Sequence, residues 1–161
     1  MANPHPDPKS AFRAGVGWYA LTWAGWLLAV VGLIQLLEML VPPEIGNVEW
    51  EFGTISSFFD SIPLFGIGIG LVAAGSLARG SRVEARVVAV FLALFVLFLW
   101  AAAALYVTDL PLAIGAASDS MVLRALKKGI LKTGVQALAY PFGFLWVAVL
   151  AWRRSAIPKL V

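Results

Sequence analysis

The chain has 161 residues, of which 61% are hydrophobic and 13% are charged, and its net charge is +3. Soluble domains average about 25% charged residues, so this composition excludes an ordinary water-soluble globule. The absence of Cys excludes disulfides and thiolate chemistry, and the basic excess is assigned to membrane orientation rather than to nucleic acid.

Four apolar stretches predict an all-α integral membrane protein, with residues 1–161 forming one transmembrane domain. The first stretch ends at two consecutive prolines, which cannot continue a helix. A span needs roughly 20 apolar residues, and the second stretch is at the short limit. The spans are placed at about 15–41, 62–78, 87–107 and 134–152.

An amphipathic helix is predicted between spans one and two. Asn47 can cap its start, and apolar residues recur from there at helical spacing. We expect this helix to lie on the outer membrane surface and to end at Pro63. It would serve either to dock a partner or lipid through Trp50, Phe52 and Phe59, or to cover the short second span.

Small residues four apart mark the second span. Gly66, Gly70 and Ala74 form a strip that allows another helix to approach closely. The spacing does not decide whether that helix belongs to the same chain or to a different one.

Aromatic residues form a stripe along span three. Phe91, Phe95 and Phe98 recur at intervals of four and three, which places them on one helix face. Such a stripe suits a pigment, a quinone or a lipid tail, and it equally suits the core of a bundle or a lipid-facing surface.

A basic amphipathic extension is predicted before span four. Arg124, Lys128 and Lys132 are four residues apart, and Ser118 or Asp119 can cap the segment. If it continues into span four, the helix would be about 50 Å long, which exceeds the roughly 30 Å hydrocarbon core. The basic stripe would bind anionic lipid heads or an acidic partner, or would be a solvated face whose side chains snorkel.

The distribution of charge predicts the orientation. Basic residues flank the two termini and the link between spans two and three, whereas the link between spans one and two is acidic. The positive-inside rule therefore places both termini in the cytoplasm, in the inner or an internal bacterial membrane. The basic extension before span four is the exception. The basic flanks contain Lys9, Arg13, Arg79, Arg82, Arg86, Arg153, Arg154 and Lys159.

Residues for catalysis or cofactor ligation are scarce. The only histidine, His5, precedes the spans, which excludes a histidine-ligated haem or chlorophyll inside the membrane. No pattern of metal ligands or of a hydrolase triad is present, so we predict no cofactor, no metal and no enzyme activity. Bound lipid or a pigment ligated without histidine stays open. Glu38 is the only carboxylate within a span, and Gln35 lies one turn before it.

The segment from Val48-Glu49-Trp50-Glu51 to Pro63-Leu64-Phe65-Gly66 combines an acidic-Trp start with a Pro-x-x-Gly opening of span two. In this it resembles the HpsJ-like membrane proteins of cyanobacteria, which are associated by name with hormogonium polysaccharide. The resemblance implies a four-span layout over about residues 15–150. It implies no catalytic residue.

The sequence therefore predicts a non-catalytic structural or accessory subunit, whose partners are membrane lipids and other membrane proteins. A photosynthetic or other energy-converting complex is the host suggested by analogy. The alternative is a component that assists transport or polysaccharide export, with Glu38 and Gln35 as its polar site.

Overall fold

The computed structural model describes residues 8–44, 46–116 and 120–156, and within these ranges the chain forms four α-helices. These four helices confirm the all-α prediction for the described residues. Each of them is long and apolar enough to cross a membrane. His5, Ser118, Asp119 and Lys159, on which parts of the sequence analysis rest, lie outside the described residues. The helices are α1 (Pro8–Glu38), α2 (Val48–Ala78), α3 (Arg82–Ala116) and α4 (Ser120–Ala156).

The helices are longer than the predicted spans. They contain 31 to 37 residues, which corresponds to roughly 47 to 56 Å at 1.5 Å per residue. The segments predicted to be amphipathic, 48–61 and 120–133, are the first parts of α2 and α4. The basic extension therefore continues into the fourth helix, one of the two arrangements that its sequence allowed.

Helix α2 does not end at Pro63, contrary to the sequence prediction. Proline lacks the N–H that would bond within the helix, and its ring crowds the preceding turn. On both sides of it, however, Phe59, Ile62 and Phe65 are buried in the bundle. Packing of these three side chains holds the helix continuous despite the local cost of the proline.

The predicted cap at Asn47 is confirmed. Its Oδ1 accepts hydrogen bonds from the backbone N–H groups of Glu49 at 3.1 Å and Trp50 at 3.3 Å. Glu49 and Glu51 stand in the first turn, where a negative charge interacts favourably with the helix dipole. The start of α2 is therefore fixed by local sequence.

Consecutive helices are antiparallel, and α2 is the central one. Contacts between Thr22 and Gly75 at one end and between Met39 and Ser61 at the other set α1 against α2. Within the described bundle α2 packs against all three other helices, whereas α1 packs against α2 alone. The start of α1 and the end of α4 consequently lie at the same end of the bundle, together with the α2–α3 turn.

The seam between α1 and α2 is built on glycine. A Cβ added at Gly25 would meet the carbonyl oxygen of Gly68 at 2.8 Å, and one at Gly32 would meet the backbone nitrogen of Phe65 at 2.6 Å. A Cβ at Gly68 or Gly75 would collide with α1. Two glycines seven residues apart on each helix thus let the backbones touch, which is how helices associate in the absence of water.

Aromatic rings fill the space where α2, α3 and α4 meet. The ring of Phe65 is 1% exposed and its centroid lies 4.7 Å from that of Phe95 and 6.2 Å from that of Phe144. Phe95 and Phe144 also meet edge to face at 5.6 Å. These geometries suit the quadrupoles of the rings, and they place the core of the bundle around Phe65.

Arg79 joins the ends of three helices at the α2–α3 turn. Its guanidinium forms an ion pair with Glu84, donates a hydrogen bond to Thr22 Oγ1 at 3.2 Å and lies 4.4 Å from the centre of the Tyr19 ring. An arginine can make planar hydrogen bonds and a cation–π contact together. The residue therefore ties α1 to the turn between α2 and α3.

Candidate functional site

Polar side chains gather at the end of the bundle opposite Arg79, between α2, α3 and α4. The rings of Phe52 and Tyr106 stack with centroids 4.5 Å apart, and Tyr106 is only 3% exposed. One turn further along α2, Ser56 Oγ lies 3.0 Å from Thr133 Oγ1, and Thr133 is fully buried. This hydrogen bond links α2 to α4 where both are surrounded by apolar residues.

Asp60 continues the polar contacts between α2 and α4. Its Oδ2 lies 2.7 Å from Lys132 Nζ, and its Oδ1 accepts a hydrogen bond of 3.0 Å from Gln136 Nε2. Gln136 also donates to the hydroxyl of Tyr140 at 3.4 Å. The carboxylate is thus bridged by a cation and an amide, which together offset its negative charge.

A pair of carboxyl groups borders this cluster. Glu51 on α2 and Asp109 on α3 interact electrostatically. Two ionised carboxylates repel each other, so this pair opposes the packing of α2 on α3.

The polar cluster leads into an apolar groove between α2 and α4. The groove has a volume of about 380 Å³. It lies along the shared face of the two helices, where Gly66, Gly70 and Gly143 have no side chain to fill it. Residues that line it include Gly66, Gly70, Tyr140, Gly143, Phe144 and Val147.

The predicted strip of small residues borders this groove, and the tight helix packing within the chain uses other residues. Gly66 faces the ring of Phe144, Gly70 has open space around it, and Ala74 is exposed. The closely packed Gly68 and Gly75 lie about 150° around α2 from the strip, at 100° per residue. Whether the strip packs against a helix of another protein stays a prediction.

The aromatic residues predicted to contact partners or lipid separate into two groups. Phe59 on α2 and Phe95 on α3 are both buried in the core of the bundle. Trp50 and Phe52 are half-buried. Phe91 and Phe98 remain partly exposed and line a second groove, of about 310 Å³, together with Leu33 and Leu37 of α1.

The basic residues on α4 point outward at the end of the polar cluster. Arg124 and Lys128 are exposed, and Lys132 is exposed while it also pairs with Asp60. This arrangement leaves two cations of the predicted stripe facing the surroundings. Binding of lipid or of a partner by the stripe stays a prediction.

Gln35 and Glu38 lie on the exposed side of α1. That side faces away from α2, which is the neighbour of α1 in the described bundle. Neither residue is therefore placed inside the bundle, where a transport pathway through a single chain would need its polar groups.

The sequence analysis missed three residues that form the polar cluster, Ser56, Tyr106 and Thr133. Each is a single polar residue in an apolar helix, and only the packing of α2, α3 and α4 brings them together. The glycines of the α1–α2 seam did leave a signal, because both helices contain a pair spaced by seven residues.

The comparisons with known proteins add no relative to this description. No protein family, no curated protein and no solved structure matches the chain. The resemblance to the HpsJ-like proteins therefore stays a prediction, and function has to be argued from the geometry of the bundle.

Proposed function

We propose that the chain is a non-catalytic integral membrane subunit that packs against other membrane proteins. The observation that carries this proposal is the placement of α1, which in the described part of the chain packs against α2 alone. Its outward side presents Trp23, Leu27 and Ile34 to the surroundings. In lipid these side chains need no protein neighbour, but they form a broad surface on which another helix can pack.

The polar residues on the same helix argue for a protein neighbour. Gln35 is exposed one turn before Glu38, the last residue of α1. An amide that faces hydrocarbon leaves its hydrogen bonds unmade, and a partner helix would satisfy them. Transport through the chain itself is the weaker alternative, because Gln35 and Glu38 both face outward.

A groove between α1 and α3 extends the apolar surface that Trp23 and Leu27 present, on the side of α1 away from Gln35. It is lined by apolar side chains of both helices, among them Leu37, Leu94 and Phe98. Its volume of about 310 Å³ suits large side chains from a neighbouring helix, which would anchor that helix beside α1.

The proposed orientation has both termini in the cytoplasm of a bacterium, in the inner or an internal membrane. It is supported by the position of Arg79, Arg82, Arg86, Arg153 and Arg154 at one end of the bundle. The host would be a photosynthetic or other energy-converting complex. Accessibility tags at the two ends would report the same compartment, and opposite compartments would overturn the orientation.

The docking surface is tested with a photo-reactive amino acid placed in cells. Trp23 on α1 and Trp146 on α4 are matched sites, because they are 69% and 68% exposed. We expect the reagent at position 23 to form a covalent adduct with one discrete membrane protein after irradiation, and the reagent at position 146 to form none. Mass spectrometry identifies the captured chain.

Equal adduct patterns at positions 23 and 146, or adducts with lipid alone at both, would contradict the proposal. An adduct only with a second copy of this chain would replace an accessory role by self-association. Each result is read in whole cells, so loss of a loosely held partner during purification does not affect it.

A further inference from the structure

We infer that the face shared by α2 and α4 binds one anionic phospholipid, with its phosphate near Arg124 and Lys128 at the start of α4 and an acyl chain in the apolar groove. The inference depends on the membrane location proposed above but not on any protein partner. It starts from the register of α4. Residues 124, 128, 132, 136, 140, 143 and 147 recur at every third or fourth position, and at 100° per residue they form a row within an arc of about 160°, with Arg124 at one edge and Tyr140 at the other.

Along this row the side chains change from cationic to polar to apolar. A phospholipid has the same order, from its charged headgroup to its acyl chains. Arg124 and Lys128 are exposed cations at the beginning of the row. Gln136 and Tyr140 follow as polar groups joined by a hydrogen bond. Gly143 and Val147 then line the groove, which contains apolar side chains and glycines. A cationic stripe at the membrane surface attracts anionic headgroups.

Asp60, the carboxylate that contacts this row of residues on α4, does not oppose an anionic ligand. Asp60 accepts from Lys132 at 2.7 Å and from Gln136 at 3.0 Å. Its charge is thereby offset within the protein. Arg124 and Lys128 are left to supply the net positive charge that a phosphate would meet.

The groove lies at the level of the bilayer that an acyl chain would occupy. Lys132 and Gly143 are eleven residues apart on one helix, or roughly 16 Å at 1.5 Å per residue, which is about half of a 30 Å hydrocarbon core. With Lys132 at the headgroup level, Gly143 lies near the middle of the bilayer. The groove of about 380 Å³ falls in the lower part of the range for small-molecule sites.

The alternative occupant of the groove is a helix from a second copy, since Gly66, Gly70 and Gly143 leave room for close approach. A helix would fill the groove without requiring the cations Arg124 and Lys128 at the start of α4. The succession of cations, polar groups and apolar groove therefore favours a lipid, and the experiment separates the two occupants.

The test is native mass spectrometry of the full-length protein in detergent, with equal amounts of dioleoyl-phosphatidylglycerol and dioleoyl-phosphatidylcholine added. We expect the protein to retain one phosphatidylglycerol in preference to phosphatidylcholine. The double variant Arg124→Gln/Lys128→Gln should lower that preference on the order of tenfold. Arg153→Gln/Arg154→Gln at the opposite end of α4 is its matched control and should keep the preference.

The groove is tested separately with Gly143→Leu. A Cβ at this position meets no neighbouring atom, so leucine would occupy the groove without disturbing the backbone, and retention of either lipid should fall. Gly134→Leu is the control, because Gly134 also has open space around it and lies on the opposite side of α4. Circular dichroism checks that both variants keep their helices.

Equal retention of the two lipids by the unaltered protein would overturn the inference. So would unchanged lipid retention by Gly143→Leu, or a change only in the proportion of dimers, which would assign the groove to a second copy. None of these results affects the cross-linking at Trp23, so the two proposals fail independently.

Discussion

The seam between α1 and α2 is built on glycines, whereas α2 meets α3 and α4 through aromatic rings and side-chain hydrogen bonds. In the first seam the backbones touch near Gly25 and Gly68. In the second, Phe65 packs among rings of α3 and α4, and Ser56 bonds to Thr133. A glycine seam tolerates no additional atom, while an aromatic seam loses stability gradually as atoms are removed.

The largest expected effect is that of Gly68→Ala, which tests the glycine seam directly. The new methyl group would collide with the backbone of α1 at Ala29, and overpacking of this kind costs about 3 kcal/mol. Equilibrium unfolding in mixed micelles of rising SDS fraction measures it. Gly70→Ala, two residues away with open space, should instead be neutral or stabilising because alanine favours helix. Equal effects of the two changes would break the comparison.

A smaller loss is expected from Phe65→Ala, which tests the aromatic seam. In water the loss of a buried phenylalanine costs about 3–5 kcal/mol. In a membrane protein, as proposed, the unfolded helices remain in the micelle, so only packing and cavity terms count and we expect about 2 kcal/mol. Phe142→Ala, at an exposed ring, should cost well under half as much in the same titration. A loss at Phe65 no larger than at Phe142 would show that the rings do not hold the bundle.

The smallest effect, of opposite sign, is expected from Asp109→Asn. The substitution removes the repulsion between Asp109 and Glu51 and should stabilise the protein by about 0.5 kcal/mol or less, since both residues are partly exposed. The gain should shrink at high salt, which screens exposed charges. Glu49→Gln, an exposed change in the first turn of α2, should give no gain. Destabilisation by Asp109→Asn would mean that the carboxylate pair has a structural role.

Local sequence predicted the parts of the fold that depend on local physics. The apolar runs identified the four helices, and Asn47 identified the start of α2. Pro63 was misjudged because its local preference is outweighed by the packing of Phe59 and Ile62 on either side of it. The prediction was wrong because the sequence pattern of one helix does not contain these tertiary contacts.

The candidate site was harder to predict than the helices. Gly66 and Gly70 have the spacing expected of a packing strip, yet Gly68 and Gly75 are the glycines that contact α1. The choice depends on the positions of Gly25 and Gly32 in a different helix. Ser56 and Thr133, 77 residues apart, could be paired only once α2 and α4 were known to run side by side.

The placement of α1 has a consequence for biosynthesis in the proposed membrane. The only neighbour of α1 in the described bundle is α2, and the end of α2 at Ala78 follows the end of α1 at Glu38 by about 40 residues. At roughly 5–20 residues per second, a ribosome needs about 2–8 s to translate that distance. During this interval α1 would be in the lipid without the helix that it packs against. Once α2 is inserted, α3 and α4 would pack against it in turn.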